Sequence, residues 1–341
     1  MQTYFEDILS QPESLKACVS ALDSKQLCML EEMCSRPWKQ IVFSGMGSSN
    51  YCAIPAAQYL MQHGKNAIRL SAADLLNYGI PSLEKDTLLV LNSQSGESVE
   101  IVRLLEKLYT TENVIAVTND EKSTLARRAA LTLSINAAPE KSVTTRTYLN
   151  SIVLDLLTAY ALCSESCEAL IENVRNTAMK MEKCLTGSED MLGQMLRTLG
   201  NPAQLCVLGR GCSFATACAG TLFLREVSRY PAFYESCGEF RHGPMEIVDD
   251  SFYGIVIAVQ EETFPLQKRL AKDICAHGGH LVVIANEEIE GIETIIVPQV
   301  DDGLSPLMTI LPIQLYTDHM AKHKGIEAGS FRWGSKITTI E

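Results

Sequence analysis

Residues 237–244 read Cys-Gly-Glu-Phe-Arg-His-Gly-Pro, which crowds a carboxylate (Glu239), a guanidinium (Arg241) and an imidazole (His242) between glycines and a proline. Gly and Pro on both flanks predict a loop rather than the interior of a helix or strand. The chain has only six histidines, so one held in a rigid, charged turn invites a chemical reading. Glu226 lies 16 residues upstream, near the end of a helix expected over Phe214–Ser228. A carboxylate and an imidazole that meet in space can move protons on a substrate, the carboxylate as base at carbon and the histidine as acid or base at oxygen. The plain alternatives are a solvated helix glutamate and a histidine that caps a loop.

A second chemistry is anion binding. The first amides of a helix that follows a strand are unpaired, and the helix dipole adds positive potential there. Two such places occur early in the chain: Gly45-Met46-Gly47-Ser48-Ser49, and Asn92-Ser93-Gln94-Ser95-Gly96-Glu97-Ser98 after the apolar run Leu88–Leu91. Ser93, Ser95 and Ser98 supply three hydroxyls and Gln94 an amide, which suits a phosphomonoester that must come and go. A Walker loop is absent, and Gly45-x-Gly47 lacks the third glycine of a dinucleotide fingerprint. Helix capping is the plain alternative for the serines. In the second half the corresponding stretch is Val259-Gln260-Glu261-Glu262-Thr263, whose carboxylates would repel phosphate and leave that half to another task.

The elements that must position these residues alternate. Short apolar runs at Ile41–Phe43, Ala67–Leu70, Leu88–Leu91, Val114–Val117 and Leu131–Ile135 are separated by helix-compatible segments, beginning with Tyr51–Gln62. Residues 3–35 have helical spacing, and residues 147–199 are helical with no strand candidate. The first pattern then restarts: VFSGMGSSNYCAIPAAQYL (42–60) is echoed by VLGRGCSFATACAGTLFL (207–224), with Gly45, Gly47 and Ser49 matched by Gly209, Gly211 and Ser213 at an offset of 164. Further runs follow at Gly254–Val259, His280–Ile284 and Thr294–Val297, with a closing helix over 306–322. Strands alternating with helices predict an α/β fold with parallel sheets covered on both faces, one unit used twice.

Bulk properties narrow the classes. A net charge of −12, from 29 basic and 41 acidic side chains, with no Lys/Arg-rich run, argues against a nucleic-acid partner. The twelve cysteines are scattered and form no C-x-x-C, and the N-terminus is acidic and polar, so reduced thiols in the cytoplasm are expected. No apolar run approaches the roughly 20 residues of a membrane span. No metal-ligand spacing stands out, and neither a metal nor an organic cofactor is expected.

The motifs S-G-M-G-S-S, N-S-Q-S-G-E-S, L-R-E-V-S and C-G-E-F-R-H-G-P, in that order, resemble those of the SIS (sugar isomerase) phosphosugar-binding proteins with two tandem modules. The likeness runs from about residue 35 to the C-terminus. It includes the isomerase half of glucosamine-6-phosphate synthase, the SIS-type glucosamine-6-phosphate deaminases and the fructosamine-6-phosphate deglycases. The resemblance implies a helical segment over 1–35, a phosphate-binding SIS module over 36–199 and a catalytic SIS module with a C-terminal tail over 200–341, each a three-layer αβα unit. It implies that Ser49, Ser93, Gln94, Ser95 and Ser98 hold the phosphate, with Gly47, Ser48, Val143 and Ser335 around the sugar. Glu226 would be the proton-transfer base. His242 would help open the sugar ring, reaching the site of a neighbouring subunit, so a homodimer or larger assembly with a shared site is expected. Glu239 and Arg241 would orient the turn. The synthase's tail lysine falls on Lys336, although Phe331-Arg332-Trp333-Gly334 differs from the synthase's lead-in. The synthase's helix lysine falls on Phe223, which argues against the synthase's own chemistry. The chain begins Met1-Gln2-Thr3 and enters the sugar half directly, so no glutaminase module is expected.

The reading favoured by these residues is an enzyme on a 6-phosphorylated amino or Amadori sugar. Within that class, C-G-E-F-R-H-G-P-x-E-I-V and Phe223 favour a fructosamine-6-phosphate deglycase, and Lys336 favours a glucosamine-6-phosphate deaminase or isomerase. A non-catalytic phosphosugar sensor is the third reading. It has no evident use for Glu226, His242 and Lys336 together.

Overall fold

The computed structural model describes residues 3–140, 143–259 and 262–334. The ten strands are β1 Gln40–Gly45, β2 Ala67–Ser71, β3 Thr87–Asn92, β4 Val114–Thr118, β5 Leu131–Ser134, β6 Leu205–Gly209, β7 Ala232–Ser236, β8 Tyr253–Ala258, β9 His280–Ala285 and β10 Glu293–Ile296. They form two five-stranded parallel sheets, ordered β2-β1-β3-β4-β5 and β10-β9-β8-β6-β7. Each sheet places its own second strand outside its first and runs on in sequence from the other side, so the two topologies are the same. The inner strands β3, β4 and β6 are buried along their whole length, as continuous Val/Ile/Leu runs require when helices cover both faces. The α/β expectation holds for both halves.

The duplication extends to single glycines. A Cβ on Gly45 would lie 2.5 Å from the Ser49 carbonyl oxygen, and one on Gly209 would lie 2.6 Å from that of Ser213. In both places the helix after the strand packs so closely on the turn that only glycine fits. Gly47 and Gly211 both take positive φ, 53° and 62°, which glycine adopts without the steric cost of a Cβ.

Two compact units are defined by their internal packing. One is built on Ser10–Glu140 and Thr144–Ala178 and contains the first sheet; the other is built on Met179–Ser330 and contains the second. In the first, helices Gln11–Ala21, Ser24–Cys34 and Ile54–Gln62 pack on the long helix Arg146–Leu162, whose side chains are almost all buried. In the second, helix Ser213–Ser228 packs on β6, β7 and the closing helix Ser305–His323. Residues 147–199 are helical, as expected, in three helices ending at Leu199. All twelve cysteines are free. Among the described residues no helix is long and apolar enough to cross a membrane, and no cluster of His, Cys, Asp and Glu could hold a metal ion.

Two local expectations need correction. Strand β7, A-F-Y-E-S, was not anticipated. It is an edge strand whose residues after Ala232 are only half-buried, so it lacks the apolar run that marks the inner strands. The turn that carries His242 is also more ordered than a loop. Cys237–Phe240 form one helical turn, and Pro244–Ile247 form a 3-10 turn. Ser236 starts the first of these by accepting from the Glu239 amide at 3.1 Å, a cap that offsets the helix-breaking tendency of Gly238.

Candidate active site

A sheet ordered 2-1-3-4-5 has its topological switch point between strands 1 and 3, and ligands bind in such folds beyond the carboxyl ends of the strands at that point. Both serine loops of the first unit stand there. One follows β1 into the short helix Ser48–Tyr51, and the other follows β3 into the helix Val99–Lys107.

The second loop is shaped from within. Ser93 Oγ accepts from the Gly96 amide at 3.1 Å and shares a 3.1 Å hydrogen bond with Ser98 Oγ, while Ser95 Oγ accepts from the Glu97 amide at 3.2 Å. Gly96 has φ of 63°, and a Cβ there would stand 2.1 Å from Ser123 Oγ, so glycine is obligatory at the bend. Ser98 occupies the N-cap position of Val99–Lys107, yet no side chain caps that helix. The capping account of these serines therefore fails at the helix start. The amides there stay open at the positive end of the helix dipole.

Ser48, Ser49 and Gln94 line one narrow cleft together with Thr144, Thr147, Tyr148 and Ser151. The last four were missed from sequence. The only signal was V-T-T-R-T at the entrance to a helix, where hydroxyls are ordinary. Their turn is held by Glu140, which is buried and accepts from the Thr145 amide (2.8 Å), Thr145 Oγ1 (3.2 Å), the Thr147 amide (2.9 Å) and Thr147 Oγ1 (2.8 Å). Thr144 and Thr147 share a hydroxyl hydrogen bond. Arg146 binds Ser10 Oγ at 3.2 Å and the Pro139 carbonyl at 2.9 Å. Of the β3 loop, Gln94 reaches the cleft, whereas Ser93, Ser95 and Ser98 bond within the loop. Val143 is buried.

In the second unit, Glu226 and His242 are not brought together. The helix Ser213–Ser228 connects the parallel neighbours β6 and β7, so it must run back against the strands. Its last turn is fixed at the start of β7, where Arg225 Nε donates to the Ala232 carbonyl at 2.6 Å. His242 follows the other end of β7. Five residues at about 3.3 Å each put roughly 16 Å of strand between the two ends of β7. The Glu226 carboxylate has no hydrogen-bond or ion-pair partner among the described residues. Its side chain reaches water, yet protein packs densely around it, and the lost solvation pushes its carboxyl up to about 7.

His242 is exposed. Arg241 forms a 2.7 Å salt bridge with Asp273, and the backbone amide of Glu239 donates to Ser236 Oγ. The first unit has a counterpart turn: Ser71 caps at Asp74 as Ser236 caps at Glu239, and by that register Asn77 stands where the second unit has His242. The Asn77 amide is spent on the Ala73 carbonyl at 2.9 Å, so the first turn keeps the architecture without a titrating group.

Lys336 and Ser335 lie outside the described residues, as do Gln260 and Glu261 of the second unit's missing hydroxyl loop. Phe223 is fully buried.

The SIS domain family matches residues 36–163 and 199–294. Among curated relatives, the glutamine–fructose-6-phosphate aminotransferases of Encephalitozoon cuniculi and Clostridium tetani are 27% and 28% identical. Those alignments cover 90% and 89% of this chain but 46% and 52% of the relatives, so the chain spans about half the length of the curated relatives it matches. Among solved structures, the C-terminal domain of glucosamine-fructose-6-phosphate aminotransferase from Francisella tularensis superposes with a TM-score of 0.84 at 20% identity, covering 97% of this chain and 98% of that one. Glucosamine-6-phosphate deaminase from Thermotoga maritima gives 0.79 at 22%, covering 98% of each chain. Tagatose-6-phosphate ketose/aldose isomerase from Escherichia coli gives 0.80 at 20%, covering 98% and 97%. These likenesses establish the fold.

Proposed function

The chain belongs to the SIS domain family, and from that premise we propose that it is an enzyme acting on a 6-phosphorylated amino or Amadori sugar, with fructosamine-6-phosphate deglycase as the leading activity. The sugar phosphate sits at the switch point of the first sheet, against Ser49, Gln94 and the open amides that begin Val99–Lys107. Glu226 moves the proton. His242, supplied by a second copy of the chain, opens the ring.

The steps balance without an added redox partner. Ring opening exposes the C2 ketone of the fructosamine. Glu226 takes a proton from C1, the C1–H electrons form the C1=C2 bond, and the carbonyl oxygen is protonated to give an enaminol. Return of a proton to C2 moves the double bond to C1=N. Water adds at C1, the C–N bond breaks, and the products are glucose 6-phosphate and an amine. A base that works in both directions needs a pKa near the working pH.

The observation that carries this reading is the Glu226 carboxyl, exposed, without a hydrogen-bond or ion-pair partner among the described residues, and pushed up to about 7 by the protein packed around it. Phe223, where the synthase carries a lysine, favours a deglycase over a synthase. Glucosamine-6-phosphate deamination remains the second reading, favoured by Lys336 in the G-S-K-I-T-T-I-E tail.

The test is a coupled assay on purified protein. Fructoselysine 6-phosphate and other Amadori 6-phosphates are read for glucose 6-phosphate, and glucosamine 6-phosphate is read for fructose 6-phosphate and ammonia. Signal with the Amadori substrates alone supports the deglycase. Signal with glucosamine 6-phosphate alone replaces it with the deaminase. Silence in both, with 6-phosphosugar binding intact, removes the enzyme reading in favour of a sensor.

A further inference from the structure

Behind the two serine loops lies a carboxylate that the reaction does not use. Asp155 is fully buried in the middle of the helix Arg146–Leu162, within the apolar run Ile152-Val153-Leu154-Asp155-Leu156-Leu157. An unpaired carboxylate in such surroundings is costly, so its partners matter. It has two. Asn92 Nδ2 stands 3.1 Å from each Asp155 oxygen, and Cys52 Sγ stands 3.4 Å from Oδ2.

Both partners belong to the stems of the anion loops. Asn92 is the last residue of β3 and immediately precedes Ser93. Cys52 closes the short helix Ser48–Tyr51, and its thiol also contacts the Ser49 carbonyl at 3.3 Å. The same Ser49 and Asn92 carbonyl oxygens pinch Gly45, at 2.5 and 2.7 Å from where its Cβ would be. One buried side chain thus bridges the bases of both loops.

We propose that Asp155 is a positioning residue of the phosphate site, holding the two loops in register through Asn92 and Cys52 and taking up a proton when a phosphate dianion binds in front of it. The proposal rests on the phosphate-site reading of those loops. The protonated form has a place for its hydrogen. Asn92 Oδ1 is buried without a partner among the described residues, and a turn of that amide presents it to an Asp155 hydroxyl. The charged form receives only a neutral amide and a weak thiol donor, and burial pushes its pKa up to about 7. The groups facing it are the Asn92 amide and the Cys52 thiol. The Arg69 guanidinium acts on that thiol, and among the described residues no ionisable side chain other than Cys52 acts on Asp155 from the elements packed around its helix. A phosphate brought to the loops adds negative charge and opposes ionisation of Asp155. By linkage, ionised Asp155 weakens phosphate binding by the same factor.

The test is calorimetric titration of the full chain with glucose 6-phosphate between pH 7 and 8.5, above the phosphate's own second ionisation near 6. It is run in two buffers of different ionisation enthalpy. Wild type is expected to take up a fraction of a proton per phosphosugar bound, and its dissociation constant is expected to rise about two- to fourfold across the range, the span that about half a unit to one unit of coupling allows. Asp155→Asn can form a reciprocal amide pair with Asn92, and is expected to bind with no proton uptake and a flat pH profile. Binding by wild type with no proton uptake and no pH dependence overturns the proposal while leaving the phosphate site standing. A pH dependence that survives unchanged in Asp155→Asn also overturns it. Failure of wild type to bind glucose 6-phosphate and inorganic phosphate at any pH overturns the phosphate-site reading, and the proposal with it.

Discussion

Glu226 and His242 stand beyond opposite ends of β7, an edge strand of the second sheet. The end of the Glu226 helix is tied to the first residue of β7 through Arg225 and Ala232, and His242 lies beyond the last residue of the same strand. Roughly 16 Å of strand separates those ends, several times the reach of a proton transfer within one site. Flexing a side chain does not close that gap. If both residues act on one sugar, two copies of the chain must share the site.

Mixing variants tests this. Glu226→Gln and His242→Asn should each lower turnover by at least about a hundredfold, the lower range for removing a general acid or base. Equal mixtures, allowed to exchange subunits, should recover up to about a quarter of wild-type activity, because random pairing makes half of all dimers mixed and each mixed dimer retains one intact site. Recovery is read in the coupled assay, with exchange verified by mass spectrometry of tagged subunits.

The pH profile reports on Glu226. The base must be ionised to accept the C1 proton, and lost solvation pushes its carboxyl up to about 7. Catalytic efficiency should therefore rise with pH, with an acidic limb centred near 7 rather than in the ordinary carboxylate range. A profile already flat from pH 5.5 upward would remove Glu226 as the titrating base.

Asp155 makes stability depend on pH with a definite sign. Its folded pKa is raised to about 7, so between roughly pH 4 and 7 the fold holds a proton that the unfolded chain has released. Its contribution to stability is full below that window and is lost as pH rises through it. Thermal melts should show wild type losing stability from pH 5 to 8 relative to Asp155→Asn, with the difference between the two levelling off above 8.

Gly45→Ala should be among the most damaging small substitutions in the first unit. Its Cβ would meet the Ser49 and Asn92 carbonyl oxygens at 2.5 and 2.7 Å, and backbone cannot swing away as a side chain can. A loss of about 1–3 kcal/mol is expected from overpacking alone, together with weakened glucose 6-phosphate binding as both loops shift. Gly64→Ala, in open space at the end of a helix, is the contrasting case: its positive φ of 71° should cost some stability while leaving binding unchanged.

The parts of the fold legible in the sequence were those with unambiguous physics. Inner strands buried on both faces read as unbroken apolar runs, and the repeated Gly-x-Gly turns were visible because no other residue fits at Gly45 or Gly209. β7 was hidden because its apolar run is only Ala232-Phe233-Tyr234, between Pro231 and Glu235; the equally half-buried edge strand β2 was legible. The helical turn at Cys237 was hidden because its Ser236 cap outweighs a glycine that otherwise signals a loop. In the site, the serine loop stood out by composition. Thr144 and Thr147 did not, since what places them is Glu140, a contact that neither residue announces. Asp155 is one polar residue in an apolar helix run, and nothing in the sequence links it to Asn92 and Cys52, which the fold brings against it.

The central claim is that Glu226 moves a proton at carbon on a bound 6-phosphosugar. Incubating fructoselysine 6-phosphate with the protein in D2O and following C1 and C2 by NMR tests it most directly. Wild type should place deuterium at C1 of recovered substrate or at C2 of the glucose 6-phosphate formed. Glu226→Gln should bind the substrate with similar affinity and exchange at least about a hundredfold more slowly. Exchange by Glu226→Gln at the wild-type rate, or tight binding by wild type with no exchange at either carbon, would contradict the account.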